Sequence, residues 1–443
     1  MKKLKADFPQ FDCHVLVEDE DPLLHGANGH VHNLGPNPKI RNVSRAYREA
    51  KGDIIWIVDC NVWIGRGVTG RMVDKLLGLR PAGGMATPCK FVHQLPSVVD
   101  TANLRQPDLV GGETLLSSAS EALTPADITA TNFGPNQAWT SRVWDNGGGR
   151  LDEMFMSTSH AKFYSAINTV GIAPCVVGKS NMFRKSHLDM LTDPSRNANL
   201  PADRHHPIGI DYFSSYICED HLIGDLLFKS RIPGFANHGL VYDLAVQPMA
   251  GFSVSAYYHR RARWLRARKW TVLAATLVEP GVESLLCCGY LSFAVTTIPW
   301  FEATWGIPQT WTAMLLAWLL SVMLWITSDW ILFRKLHSGD SMQVDASTPF
   351  FARGTEKSGG VPRRPFFEWL AAWLGREFMA LPIWTWAVLC GTTMDWRGKR
   401  FRVRMDMSVV ELDPSPTPSG VRSRNGRTPE IERGRARSKN RID

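Results

Sequence analysis

No Cys-x-x-Cys pair and no mixed His/Cys spacing of the kind that binds zinc occurs in the 443 residues. The eight cysteines (Cys13, Cys60, Cys89, Cys175, Cys218, Cys287, Cys288 and Cys390) are scattered, and three of them lie in apolar segments. That pattern excludes a disulfide scaffold and points to a reducing, cytosol-facing environment. The first nine residues, Met1 to Pro9, contain three lysines and no apolar core, so they do not read as a secretory signal. No recognisable nucleic-acid module accompanies the formal charge of +8. The basic residues gather near apolar sequence, so the expected partners are nucleotides, phosphates or acidic lipid headgroups, not nucleic acid.

What the chain does have is tryptophan, seventeen in all, with many in the C-terminal half. Tryptophan in such numbers suits membrane–water interfaces. The length leaves room for two domains, or for one domain and a membrane region. Residues 11–17 read as a strand leading into the acidic loop Glu18-Asp19-Glu20-Asp21-Pro22, and residues 40–51 as a helix. Residues 53–58 (Asp-Ile-Ile-Trp-Ile-Val) form a nearly continuous apolar run, as expected of a strand buried on both faces. The run stops at Asp59-Cys60-Asn61, and the next helix is expected over 67–77. Strand, polar turn and helix in that order predict an α/β sheet, in which ligands gather at the carboxyl ends of strands. A further strand is expected at 91–96. Residues 101–150 are rich in Gly, Ser, Thr, Asn and Pro and end in Gly147-Gly148-Gly149, which reads as a flexible surface insertion. Alpha/beta structure resumes at Met154.

Three apolar runs follow, over 285–301, 311–333 and 378–394. The second is long enough to span a bilayer; the first and third are at the short limit and suit re-entrant or tilted segments. The loop 302–310 has no Lys or Arg, whereas the loop after the second run carries Arg334, Lys335, Arg353, Lys357, Arg363 and Arg364. The positive-inside rule places that basic loop, and the domain before the runs, in the cytosol. The tail from Pro414, Pro/Ser-rich and then Arg-rich, reads as disordered.

Just ahead of the apolar runs stands Tyr257-Tyr258-His259-Arg260-Arg261-Ala262-Arg263-Trp264. Residues three or four apart on a helix share a face, so Arg260, Arg263 and Trp264 can project together. Two guanidinium forks suit a pyrophosphate and an indole suits a sugar or base, although snorkelling arginines on a membrane-surface helix give the same pattern. Three aspartates stand out upstream. Asp59 ends an apolar strand and is placed to hold a hard divalent cation on a diphosphate. Asp220 opens an apolar helix, where a carboxylate caps the helix or serves as a general base. Asp21 suits a base or ribose contact. Each, taken alone, is equally the mark of a structural strand end or helix start.

Taken in order, Asp21, Asp59, Asp220 and Arg-x-x-Arg-Trp resemble the D, D, D, (Q/R)xxRW pattern of inverting GT-A glycosyltransferases. More narrowly, Gly35-Pro36-Asn37-Pro38-Lys39-Ile40-Arg41-Asn42, Asp53 to Asp59, Val92-His93-Gln94-Leu95-Pro96, Ser159-His160 and Cys218-Glu219-Asp220 resemble the ceramide glucosyltransferase family, in its fungal form. The resemblance covers most of residues 8–100 and 151–404.

The resemblance implies a GT-A (Rossmann-like) α/β domain followed by an interfacial helix and C-terminal transmembrane helices. The N-terminal donor-binding part would occupy 1–100, the insertion 101–150, the acceptor part with the interfacial helix 151–270, the membrane region 271–404 and a disordered basic tail 405–443. It implies transfer of glucose from UDP-glucose to the primary hydroxyl of ceramide with inversion, at a Golgi membrane, by a multi-pass protein whose catalytic domain faces the cytosol. Asp220 would be the base, Asp59 the ligand of Mg²⁺ or Mn²⁺, and Asp21, His160, Arg260, Arg263 and Trp264 the substrate contacts. Cys175, in the block Cys175-Val176-Val177-Gly178, would be either a reactive thiol near the site or an inert buried one. The family ordinarily starts with a membrane anchor and a first strand bearing a Pro-Leu-Lys-Gly-like segment. The chain is therefore read as truncated there and as shortened between Pro22 and Gly35, with an apolar sheet edge exposed. Another membrane glycosyltransferase with a lipid acceptor such as polyprenol phosphate, or an inactive relic of the fold, stays open at this point.

Overall fold

The computed structural model describes residues 2–25, 34–80, 83–102, 139–200, 206–355 and 363–412. The middle of the expected insertion, the segment expected to be shortened and the basic tail from 413 lie outside them. The fold is mixed α/β. In chain order the main elements are helix α1 (Pro38–Glu49), strands β1 (Ile54–Val58) and β2 (Trp63–Ile64), α2 (Val68–Leu77) and β3 (Phe91–Asp100). Then come α3 (Trp139–Ser157), α4 (Ser159–Val170), β4 (Ser180–Arg184), α5 (Glu219–Lys229) and β5 (Gly239–Met249). The C-terminal part holds α6 (Val254–Arg268), α7 (Ser284–Thr297), α8 (Pro299–Trp305), α9 (Trp311–His337), α10 (Phe366–Trp384) and strands β6 (Thr393–Trp396), β7 (Lys399–Val403) and β8 (Val409–Leu412).

The central sheet has the order β1-β4-β3-β5-β2, in which only β3 and β5 run parallel. β3 is buried at all ten positions and forms the middle of the core. β1, expected to be buried on both faces, is half-buried at all five positions because it pairs only with β4 and lies at the sheet edge. Residues 11–17 form no strand: Phe11, Val15 and Val17 are exposed, and an extended segment without a ladder partner is not a strand.

The glycine triplet did not mark a loop. Residues 139–150, expected in the insertion, are the first turns of the long helix α3. A Cβ on Gly148 would overlap the carbonyl of Ser253, and one on Gly149 would stand 2.9 Å from Asp100 Oδ1. The glycines are there to let α3 cross the start of α6 and the end of β3 at backbone contact, a use of glycine that composition cannot separate from flexibility.

The apolar runs resolve unequally. α9 is long and apolar enough to cross a membrane, and Leu315, Leu316, Leu320, Met323 and Leu324 on it are exposed. α7 and α8 pass the same test only together and are bent by 70° at the break, the shape of a broken or re-entrant segment. The third run, 378–394, is not one helix. α10 starts earlier and ends at Trp384, a π-helical turn covers Thr385–Leu389, and the chain enters β6. Pro382, inside α10, removes a backbone donor there. Of the three runs, one is a helix of spanning length, or two with the bent pair, among the described residues. The three-stranded sheet β6-β7-β8 also takes residues assigned to the membrane region and the tail, and packs with Ile217, Ala267 and Trp270.

The tight crossing is testable. Gly148→Val should destabilise the protein by about 1–3 kcal/mol through overpacking, read as a lower thermal midpoint in detergent. An unchanged midpoint would show that α3 and α6 have room to separate.

Candidate active site

The register of the sheet builds the first half of the site. Val58 of β1 pairs with Ser180 of β4, which sets Lys179 beside Asp59; the Asp59 N–H donates to the Lys179 carbonyl at 3.1 Å. The Lys179 ammonium then lies 2.9 Å from Asp59 Oδ2 and 3.4 Å from Asn61 Oδ1. The other carboxylate oxygen, Oδ1, is 3.0 Å from the ammonium of Lys39, in the first turn of α1.

Lys39 joins the two halves. It also donates to the Gly178 carbonyl at 3.0 Å and stands 3.4 Å from Glu219, which opens α5 together with Asp220. Asn37 holds the two helix starts together. Its side-chain oxygen accepts from the N–H groups of Lys39 and Ile40, capping α1. Its amide nitrogen donates to the Tyr216 carbonyl and, at 3.0 Å, to Glu219. Gly178 closes the approach: a Cβ there would lie 2.6 Å from the Lys39 ammonium and 3.1 Å from Asp220 Oδ2. Lys39, Gly178, Asn181, Glu219 and Asp220 line a narrow cavity whose remaining wall, with Phe91, Val176 and Ile223, is apolar.

The charges in this cluster are tuned by burial and by one another. Burial raises the Asp59 pKa, but Lys39 and Lys179 overcome it and hold the carboxyl below its ordinary value. Burial pushes the Lys179 ammonium down, Asp59 opposing and Arg260 adding. Burial pushes Glu219 up to about 7, with Lys39 opposing and Asp220 adding.

The sequence-predicted residues fall into two sets. Asp59 and Asp220 are brought together, and Arg260 is near enough to act on Lys179. Arg260 is buried, 3.3 Å from Asp152 and 3.1 Å from Gln247, and its guanidinium stacks over Trp264 at 4.6 Å. Trp264 packs on Phe155, and Phe155 on the ring of His160. Burial, with Arg261 and Arg268 adding, pushes the His160 pKa down to about 3, so the ring is neutral, and its buried Nδ1 has no hydrogen-bond partner. Arg263 does not share the Arg260–Trp264 face: its guanidinium lies over Trp396 of β6, 5.8 Å away. Asp21 is buried in an ion pair with Arg48 and accepts from the Leu23 N–H at 3.0 Å, at the start of the short helix Pro22–His25. Cys175 is no reactive thiol; burial pushes it up to about 11, which leaves it protonated at neutral pH.

Sequence reasoning had not singled out Lys39, Lys179, Glu219 or Asn37 for roles. All four sit inside or beside blocks quoted for resemblance, and nothing in their spacing shows that they converge.

The fit of a divalent cation follows from the donor set. No group of three His, Cys, Asp or Glu side chains that could hold a metal occurs among the described residues, so they offer no all-protein cage. Mg²⁺ in nucleotide sites uses one or two carboxylates and completes its shell with phosphate oxygens and water. Asp59 offers one such carboxylate, and Lys39 and Lys179 lie on its two oxygens.

Comparison with known proteins gives a consistent result. The chain matches glycosyl transferase family 21 over residues 1–105 and 139–409. It is 52% identical to a ceramide glucosyltransferase of Gibberella zeae, over 100% of this chain and 81% of that one. It is 54% identical to a ceramide glucosyltransferase of Pyricularia oryzae, over 96% and 79%, and 31% identical to one of Candida albicans, over 93% and 79%. No solved structure matches.

The raised Glu219 pKa has a signed consequence. The stability contributed by its buried, protonated form is fully present below the ordinary value of 4.5 and is lost as pH rises through about 7. Glu219→Gln keeps the neutral form, so its stability relative to the native chain should increase from pH 4.5 to 7 and then level off. Denaturation midpoints of the two chains across that window measure it. A constant difference would mean that Glu219 ionises as an ordinary glutamate.

Proposed function

The chain belongs to glycosyl transferase family 21, and from that premise we propose that it transfers glucose from UDP-glucose to the primary hydroxyl of ceramide, with inversion. The observation that carries the reading is the convergence of Asp59 and Asp220 on Lys39: Asp59 lies 3.0 Å from its ammonium, Asp220 lines the same cavity as Lys39, and Arg260 acts on the neighbouring Lys179. Inverting displacement needs a base on the acceptor and positive charge on the leaving group. Asp220 takes the proton of the acceptor hydroxyl while that oxygen bonds to the anomeric carbon. The bond from that carbon to the diphosphate breaks, and its electron pair leaves with UDP. Lys39, Lys179 and Arg260 supply the charge that the departing diphosphate meets. Mg²⁺ or Mn²⁺ held by Asp59 would add Lewis-acid neutralisation at the same phosphates. Glu219 neighbours the base, and burial raises its own pKa.

The same reading extends to the setting. The mixed sheet with Asp59 at a strand end supports a GT-A domain. The exposed apolar surfaces of α7 and α9 support membrane insertion, and α6 then lies at the interface, between the charged cluster and α10. All eight cysteines are free, which supports a cytosolic face, here that of a Golgi membrane. Asp21, in its pair with Arg48, shapes the donor side without direct contact. Trp264 borders the sugar beneath Arg260, and His160, neutral and half-buried, stands behind Phe155.

Membranes expressing the chain, given UDP-glucose and a short-chain ceramide, should form glucosylceramide. Asp220→Asn should lower kcat by roughly 10²–10⁴ while UDP binding is retained. Transfer at the native rate in that variant would remove Asp220 as the base. Asp59→Ala should weaken UDP binding in the presence of Mg²⁺ and remove its dependence on the cation. A cation dependence that survives would place the ion elsewhere.

A further inference from the structure

A second, narrow cavity lies between α6, the turn Glu279–Val282 and α10, apart from the Asp59–Asp220 cluster. Its charged lining is two arginines, Arg261 and Arg376, and two glutamates, Glu279 and Glu283, which sum to no net charge, and Tyr257 lines it as well. The apolar lining includes Phe155, Leu265, Ala380 and Ile383. Arg376 is only 1% exposed, and its Nε has no hydrogen-bond partner among the described residues. Its Nη1 donates to Glu283 at 2.6 Å and to Ser159 at 2.7 Å, and Nη2 is paired with Glu377, whose carboxylate oxygens lack hydrogen-bond donors of proper geometry. A buried guanidinium with an unused donor is costly to a protein unless something polar meets it.

Two regions flank the cavity. On one side, Glu279 accepts from Arg261 at 3.3 Å and is paired with Arg268. Arg268 lies near enough to Cys218 and His221, on either side of Glu219 and Asp220, to act on their ionisation. On the other side, α10 carries the cavity residues Ala380 and Ile383 and, on its outer surface, the exposed Phe378 and Leu381.

We propose that this cavity is the acceptor-head subsite, receiving the amide and hydroxyl groups of a neutral two-chain lipid while the chains remain against the outer face of α10. The assignment rests on the reading of the protein as a ceramide glucosyltransferase and adds the residues that would recognise that acceptor. An amide and a hydroxyl each offer a donor and an acceptor, and the cavity offers both kinds: Arg376 Nε meets a carbonyl oxygen, and Glu283 accepts from a hydroxyl or amide N–H. A phosphate-headed lipid would bring two or more negative charges against Glu279 and Glu283, so the same set selects for an uncharged head. Arg376 and Glu283 are positioning residues, acting on where the hydroxyl stands and not on the bond that breaks.

The test is steady-state kinetics on membranes holding the native chain, Arg376→Lys, Glu283→Gln and Ala380→Phe, with short-chain ceramide as acceptor. Ala380→Phe fills the cavity without disturbing a buried ion pair, which separates occlusion from misfolding. The expected result is a rise of about tenfold or more in KM for ceramide in all three variants, with KM for UDP-glucose within about twofold of native. Direct binding of a fluorescent short-chain ceramide to the detergent-purified proteins should weaken by the same factor. Ceramide binding and KM unchanged in Ala380→Phe would overturn the subsite, leaving a structural, water-filled crevice. KM for donor and acceptor rising together in every variant would overturn it equally, as a merely structural role. If the native chain binds the ceramide, loses that binding in Ala380→Phe and yet transfers no glucose, the subsite stands and the proposed reaction falls.

Discussion

The structure turns on the carboxylate of Asp59 and the two ammonium groups that share it. Asp59 ends β1, Lys179 precedes β4, and Lys39 opens α1, so one side chain ties an edge strand, its neighbour and a helix start. Lys39 reaches on to Glu219 and thereby holds the start of α5, where Asp220 stands. In a half-buried setting such a network is worth having only if every charge is compensated, because an uncompensated buried charge is far more costly than the network is stabilising. Its members are accordingly matched: lysines on carboxylates, and Asn37 supplying donors and an acceptor where charge is absent.

A second set of ion pairs fixes α6 against the rest. Arg260 meets Asp152 of α3, Arg261 meets Glu279, and Arg376 of α10 meets Glu283. Helix α6 thus carries one arginine toward the charged cluster and the next toward the lipid-side cavity. Adjacent residues on a helix point about 100° apart, so a run of consecutive arginines addresses different neighbours by geometry alone. This also explains why Arg263 leaves the Arg260–Trp264 face and stacks on Trp396, where β6 offers it an aromatic surface.

Much of the site was legible because its key residues sit at element boundaries, where sequence carries strong signals. An apolar run ending in Asp59, and an acidic pair ahead of an apolar helix at Glu219-Asp220, mark a strand end and a helix start whatever the fold. The Arg-rich helix declared itself by composition. Lys39, Lys179 and Asn37 carried no comparable signal. Their importance comes from convergence across 140 positions of chain, between residues 39 and 179, set by the antiparallel register of β1 and β4. The errors have the same origin. Gly147 to Gly149 read as a loop because glycine serves both flexibility and close packing, and only the Ser253 backbone across from Gly148 decides which. The run 378–394 read as one short apolar segment because hydropathy does not register a helix that ends at Trp384 and turns into a strand.

The sequence by itself determined the class of molecule: a charged α/β domain, an Arg- and Trp-bearing helix after it, and apolar segments at the end, since each follows from local periodicity and composition. It also named the aspartates, because their positions are local events. The tertiary structure alone decided that β1 is an edge strand, that two lysines neutralise Asp59, that Asp21 belongs to Arg48, and that Arg376 lies buried with an unused donor beside a cavity. Those are properties of pairs far apart in the chain. Pairing and burial depend on which surfaces meet, and that is settled by the packing of the whole fold, not by any stretch of it.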